Sequence, residues 1–240
     1  ITDTDFDAAN TVQFLDSYFV TDRVDTNEVA ISGAYDGTSW SSTAYGTAES
    51  KSDRVLGVIN QKQTLYIVKQ TSAELWHNAG LVNFPFQRIP GAILDRGILS
   101  SHAFAQEDET LFMLGNDRIA YKVGGTQLSR ISTHAIEKTW QRYATVSDAF
   151  GMAHTFDGHK FVTKTFPTQS QTWVYDIATS LWHERESRDL NGTPLGRWRG
   201  NAVIAAYGKT FVGDAYSGKI GYLDPTVFTE FGDPIYAEAV

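Results

Sequence analysis

The feature that most constrains this chain is a recurring series of four short apolar runs, separated by Gly, Asp, Asn and Thr. One series occupies residues 54–59, 64–68, 73–76 and 84–89, and the next occupies 101–105, 110–114, 118–122 and 127–131. A third uses 151–154, 160–163, 172–175 and 181–184, and a fourth uses 202–205, 209–212, 219–222 and 226–228. A looser series opens the chain at 12–15, 18–20 and 28–31, followed by Trp40. Runs this short, without 3.6-residue periodicity, read as strands. A repeat of about 40 to 50 residues with four strands has the length of a propeller blade. A lone four-stranded sheet cannot bury both faces, whereas sheets stacked on one another can. An aromatic on each third strand (Trp76, Tyr121, Trp173, Tyr222) and a bulky residue on each fourth (Phe86, Leu128, Trp182, Phe228) are expected between neighbouring sheets. The expected class is therefore mostly β, a propeller-like array of four-stranded antiparallel blades. An open β-sandwich of several meanders is the alternative.

One segment departs from the strand pattern. Ser132 and Thr133 precede Ile136, Trp140 and Tyr143, spaced i, i+4, i+7, which predicts a short capped amphipathic helix over 132–143 that plugs an end of the β-structure with Ile136 and Trp140. Tight turns are expected at Asp157-Gly158 and Ser217-Gly218, with similar punctuation at Asp36-Gly37, Gly124-Gly125 and Asn191-Gly192.

Composition narrows the function classes. The 240 residues carry 20 Lys and Arg against 28 Asp and Glu, a net charge of −8, with 14 Phe, 11 Tyr and 6 Trp for a core. That aromatic content excludes a disordered chain. The complete lack of Cys excludes disulfides, zinc ribbons and thiol nucleophiles. Uncharged stretches such as 98–106 fall far short of the ~20 apolar residues of a membrane span. The chain opens at Ile1 without Met or a signal-peptide pattern and stops at Glu238-Ala239-Val240 in strand-like sequence. The expectation is one propeller-like β domain over 1–240, belonging to a longer polypeptide with flanks at both ends.

Candidate chemistry is sparse. Asp3, Asp5 and Asp7 alternate like the start of a calcium loop, but Ala8 and Phe14 stand where that loop needs Gly and Glu, so a solvated acidic lead-in is expected. The segment from Ser32 to Trp40 resembles the Asp-box turns of sialidase-type propellers, with Asp36 and Gly37 adjacent where that motif separates them; its role there is structural. Gly208-Lys209-Thr210 has Val203 where a phosphate loop needs its first Gly, and reads as a hairpin turn. His77, His102, His134, His154, His159 and His183 show no metal-ligand spacing. No metal, cofactor or catalytic residue is assigned. Arg185, Arg188, Arg197 and Arg199 form a modest basic cluster around Trp198, and Arg197, Trp198 and Arg199 are the candidate contacts to DNA or to a partner protein.

Taken together, 14–20, 48–50, 130–137, 172–176 and 181–184 resemble, in order, the packaged-DNA stabilisation proteins of short-tailed bacteriophages, over about Ile1 to Tyr222. The resemblance implies a non-enzymatic virion protein: a tail-hub or nozzle subunit below the portal, forming a hexameric ring. It would extend the DNA channel, retain packaged DNA, contact the head-completion protein and dock tail needle or fibre proteins. It implies assembly in the host cytoplasm and residence in the phage tail. Two other classes remain open. A glycan-binding or glycan-processing propeller needs an Arg/Glu/Tyr cluster, for which Arg118, Glu137 and Tyr143 are the candidates. A kelch-type interaction scaffold predicts a closed monomer.

Overall fold

Two-residue turns with both residues left-handed open every repeat. They fall at Asp16-Ser17, Lys62-Gln63, Asp108-Glu109, Asp157-Gly158 and Tyr207-Gly208, each with positive φ at both positions. This backbone twists in the same sense as paired strands, so the flanking segments close into hairpins. The computed structural model describes residues 1–235, and the strand-like ending at Glu238-Ala239-Val240 lies outside the described residues. The chain divides into two compact units: Ile1–Ala103 with Glu109–Ile131, and Phe104–Asp108 with the residues from Ser132 on.

The first unit begins with β1 (Val12–Leu15), β2 (Tyr18–Asp22), β3 (Glu28–Gly33) and β4 (Asp36–Thr47), paired in that order. A second sheet follows from β5 (Val55–Gln61), β6 (Thr64–Lys69), β7 (Ala73–Asn78) and β8 (Phe86–Leu94), again paired in order. In the series over 101–131, third along the chain, β9 (Phe104–Glu107) is grouped with the second unit, while β10 (Thr110–Leu114), β11 (Ala120–Gly124) and β12 (Gln127–Arg130) belong to the first. The first unit's core lies between its first two sheets: Leu15, Val20, Val29 and Ile31 pack with Val58, Ile67, Trp76 and Phe86. The inward positions alternate as a half-buried strand requires. Gly46 belongs to this packing, because a Cβ there would stand 2.5 Å from the Phe84 ring.

The second unit contains the helix α1 (His134–Gln141) and a sheet of β13 (Phe150–Phe156), β14 (His159–Phe166), β15 (Gln171–Asp176) and β16 (Leu181–Glu184). The side chain of Thr133 accepts from the Ile136 amide, the cap expected from sequence. Trp140 is fully buried, with ring centroids 5.7 Å from Phe166, 6.2 Å from Trp173 and 5.6 Å from Trp182. The helix thus seals this one sheet. The last sheet has three strands, β17 (Gly200–Ala206), β18 (Lys209–Asp214) and β19 (Ile220–Tyr222), followed by a two-stranded hairpin of β20 (Thr229–Glu230) and β21 (Asp233–Pro234).

Here the structure corrects the expectation of four strands throughout. Residues 226–228 form no strand, and Phe228 and Tyr222 are 77% and 47% exposed. Pro225 starts a turn in which Asp224 accepts from the Thr226 amide and hydroxyl, and the chain leaves the sheet there. The turn expected at Asp36-Gly37 instead falls at Ala34-Tyr35, where Tyr35 takes a φ of 58°.

A second repeated device fixes how each sheet is entered. Asp22, at the end of β2, accepts from the amide and hydroxyl of Thr11 at 2.7 and 2.8 Å and from the amide and side chain of Asn10 at 3.1 and 2.9 Å, all ahead of β1. Asp53, ahead of β5, accepts from the Thr71 amide and hydroxyl after β6. Asp148, ahead of β13, does the same with Thr168 after β14. Gly97 and Asn116 exchange hydrogen bonds in the third series, and Arg199 and Asp214 make an ion pair in the fifth.

The acidic lead-in is also structural rather than merely solvated. Asp3 accepts from the Trp40 amide at 2.9 Å, Asp5 accepts from the Ser42 amide at 3.0 Å, and Asp7 pairs with Arg23 at 2.7 Å. The two-residue spacing of the aspartates matches the two-residue spacing of outward amides on the edge strand β4. Asp22→Ala would leave the buried Thr11 and neighbouring Asn10 donors without their acceptor. It is expected to lower stability by about 3 kcal/mol in urea denaturation, with loss of the tertiary signal from the first unit.

Candidate functional site

Arg197, Trp198 and Arg199 lie on the segment entering β17, and the structure gives them three different environments. Arg199 is buried and held by three hydrogen bonds: Nε and Nη2 donate to the two carboxylate oxygens of Asp214 at 2.8 and 2.7 Å, and Nη1 donates to Asp233 at 2.5 Å. This fork geometry requires arginine. It raises the Arg199 pKa, chiefly through Asp214, and holds the Asp214 carboxyl well below the usual carboxylate range. Trp198 is buried as well, its Nε1 donating to Glu230 at 2.7 Å. Both residues therefore anchor the β20–β21 hairpin. Arg197 is half-buried, with Nη2 3.4 Å from the Asn201 side-chain oxygen and its guanidinium 5.8 Å from the Tyr216 ring centre. Of the three, it alone keeps a guanidinium clear of any ion pair among the described residues.

Around Trp198 the second unit collects groups that sequence spacing does not connect. Arg185 stacks on the indole with its guanidinium carbon 4.1 Å from the ring centre. The His154 ring lies 5.4 Å from Trp198 and 5.4 Å from Phe161. Neither ring nitrogen of His154 has a hydrogen-bond partner among the described residues, and burial, reinforced by the positive charge of Arg185, lowers its pKa to about 4. Beside this cluster is a cavity of about 670 Å³ walled by Trp198, Tyr222, Phe228 and Phe231, with Arg185 and the carboxylates Asp157, Asp224 and Glu230 among its polar groups. An aromatic wall with a stacked guanidinium is equipped for noncovalent recognition.

The remaining sequence candidates hold structural positions. Lys209, of the Gly-Lys-Thr segment, begins β18 and lies 3.6 Å from the centre of the Tyr222 ring, so this is the hairpin read from sequence. Trp40 of the Asp-box-like turn packs on Phe6 and donates its indole N–H to Gly37. Glu137 is buried and accepts from the Ser132 hydroxyl at 2.6 Å, while Tyr143 donates to Gln171 and accepts from Trp173. Their polar atoms are thus committed within the second unit, whereas Arg118 occupies a turn of the first. His154, His159 and His183 all approach Phe161, a convergence invisible in their spacing, but they meet it as stacked or edge-on rings. Among the described residues no three His, Asp or Glu are grouped to hold a metal, and no helix is long and apolar enough to cross a membrane.

Two outcomes follow for this cluster. Arg199→Met strands the buried Asp214 carboxylate and is expected to cost about 3–5 kcal/mol, measured by denaturant titration. Because folding lowers the His154 pKa from 6.5 to about 4, the unfolded chain binds the proton first as pH falls. Stability is full above pH 6.5 and declines by about 3 kcal/mol on acidification to pH 4, and His154→Phe should flatten that part of the stability–pH curve.

Comparison with known proteins places these features in a family. No curated protein matches the sequence. Among solved structures, the dihydro-heme d1 dehydrogenase NirN in complex with DHE superposes with a TM-score of 0.54 at 10% identity, covering 95% of this chain and 48% of that one. At that identity the likeness shows the fold alone, and this chain spans about half the length of that structure. BamB from Moraxella catarrhalis aligns over 91% of this chain and 65% of its own, at 9% identity and a TM-score of 0.48. The profile of the phage stabilisation family described as "Bacteriophage P22 Gp10, beta-propeller" matches residues 1–228. With that match spanning the strand series and both the left-handed turn and clip repeats, the chain belongs to the P22 Gp10 β-propeller family of bacteriophage stabilisation proteins.

Proposed function

We propose that this chain is a non-enzymatic structural subunit of the virion, part of a tail hub that assembles as a ring of about six copies. The ring extends the DNA channel below the portal, retains the packaged genome, sits against the head-completion protein and docks needle or fibre proteins. It is assembled in the bacterial cytoplasm and carried in the tail. The observation that carries this reading is the family match over residues 1–228.

The electrostatics support a conduit more than a DNA clamp. A net charge of −8 repels phosphates, and a wall of that sign lets DNA slide without tight, salt-sensitive contacts. The basic cluster offers little to offset this, because Arg199 is spent on Asp214 and Asp233 and Arg188 pairs with Glu186. Arg197 is the residue left for a phosphate or an acidic neighbour.

Light scattering and negative-stain imaging of the protein, with and without the head-completion protein, test this reading. A ring of about six subunits is the expected result, alone or on the partner. A closed monomer under both conditions would contradict it and favour a monomeric interaction scaffold. In the ring, Arg197→Glu is expected to reduce the slope of log affinity against log salt by about one if Arg197 meets DNA, and to leave it unchanged if it meets protein.

A further inference from the structure

We propose that the chain associates head to tail: the outward face of its first sheet (β1–β4) receives the outward face of the fifth sheet (β17–β19) of a second copy. This deepens the ring part of the proposed function and rests on it for the biological setting, while each face stands within its own unit.

The first face is the side of β1–β4 turned away from the core. Leu15 and Val20 point into the packing with the second sheet, so alternation turns Val12, Phe14, Phe19 and Thr21 the other way. Val12 is 55% and Phe14 50% exposed, and Phe14 lies against Phe19 with ring centroids 5.1 Å apart. Val12 and Phe19 line, with Phe6 and Trp40, an apolar groove of about 360 Å³. The fifth sheet has a matching feature. Val212 is buried, and the neighbouring rung Ile204–Phe211–Tyr222 carries its side chains on the opposite side. Ile204 is 64% exposed there, and Ala202, two residues along β17, is exposed with it. Open apolar sheet faces of this kind are what sheet-on-sheet packing buries, as the first two sheets do within the first unit.

Charge decides which face meets which. Residues 1–40 carry one Arg against eight Asp and Glu, a net charge of −7. Asp16 and Asp36 among them are exposed and make no ion pair among the described residues. Residues 197–224 carry four Lys and Arg against two Asp, a net charge of +2. Lys209 stands on the apolar face itself, its ammonium over the Tyr222 ring. An isologous contact would set acid on acid or base on base, whereas the head-to-tail contact joins opposite signs. A heterologous contact also leaves each added copy with one face open, so copies accumulate until a ring closes.

The test is sedimentation velocity on the 240-residue chain and two variants at exposed positions, Val12→Asp on the first face and Ile204→Asp on the fifth. Protection of the β2 and β18 amides from hydrogen exchange verifies that each is folded. The unaltered chain is expected to associate below about 100 µM, about tenfold more weakly when salt rises from about 0.05 to about 0.5 M. Each variant alone is expected to remain monomeric. Their equimolar mixture is expected to form a 1:1 dimer and nothing larger, because only one sound pair of faces is left, and Lys209→Glu should weaken that dimer about tenfold. An unaltered chain that stays monomeric would overturn the proposal, since the faces then close on each other or await a different polypeptide. So would variants that still self-associate, a mixture that stays monomeric, or a mixed dimer indifferent to salt and to Lys209→Glu. A ring that both variants still form sinks this proposal alone. A mixed dimer with no ring of the unaltered chain, alone or on the head-completion protein, sinks the hub reading alone.

Discussion

The fold depends on a side-chain clip that ties the segment entering each sheet to the end of its second strand or the bend just after it. Asp22, Asp53 and Asp148 each accept from a backbone amide and a threonine hydroxyl across that gap. The bend and the lead-in are irregular backbone with donors that no ladder satisfies, and an ionised carboxylate takes two or more of them at once. Burial opposes ionisation of Asp53, but the Thr71 amide and hydroxyl and the Lys69 ammonium outweigh it and hold the pKa at about 2. Lys69 is itself buried, donating to the Ala48 and Lys51 carbonyls as well as to Asp53. Asp53 and Lys69 are sustained inside this β-structure because each is surrounded by partners of the right kind.

The fifth sheet follows the same rule with the roles exchanged, and this connects architecture to function. There the clip is an arginine, and Arg199 reaches past Asp214 to Asp233 on the terminal hairpin. The basic segment that looks like a nucleic-acid contact is therefore mostly spent on cohesion. Outside that cohesion the second unit keeps Arg197, which makes no ion pair among the described residues, and Arg185, stacked on Trp198 and interacting with Glu230.

Much of this was legible in the sequence, and the failures have physical causes. The strand series could be read because alternating apolar runs and glycine turns are local signals. The helix could be read because Thr133 and the Ile136/Trp140 spacing specify a cap and a buried stripe. The turn at Lys62-Gln63 carries no glycine and is forced left-handed by the hairpin around it, so its residue types say little. The misread 226–228 has strand-like residues, but Pro225 and the Asp224–Thr226 turn divert the chain before they can pair. The cluster of Arg185, His154 and Trp198 was opaque because its members meet across two sheets. The aspartates at the start were legible as a pattern but not as a partner set, since Trp40 and Ser42 lie far along the chain.

The most direct measurement of the central claim is a cryo-electron microscopy reconstruction of the intact tail of the phage that encodes this chain. The account predicts density for its sheets repeated around the axis below the portal, with the channel passing through the ring. Density for this chain only on the outer capsid, or none in the mature particle, would contradict it.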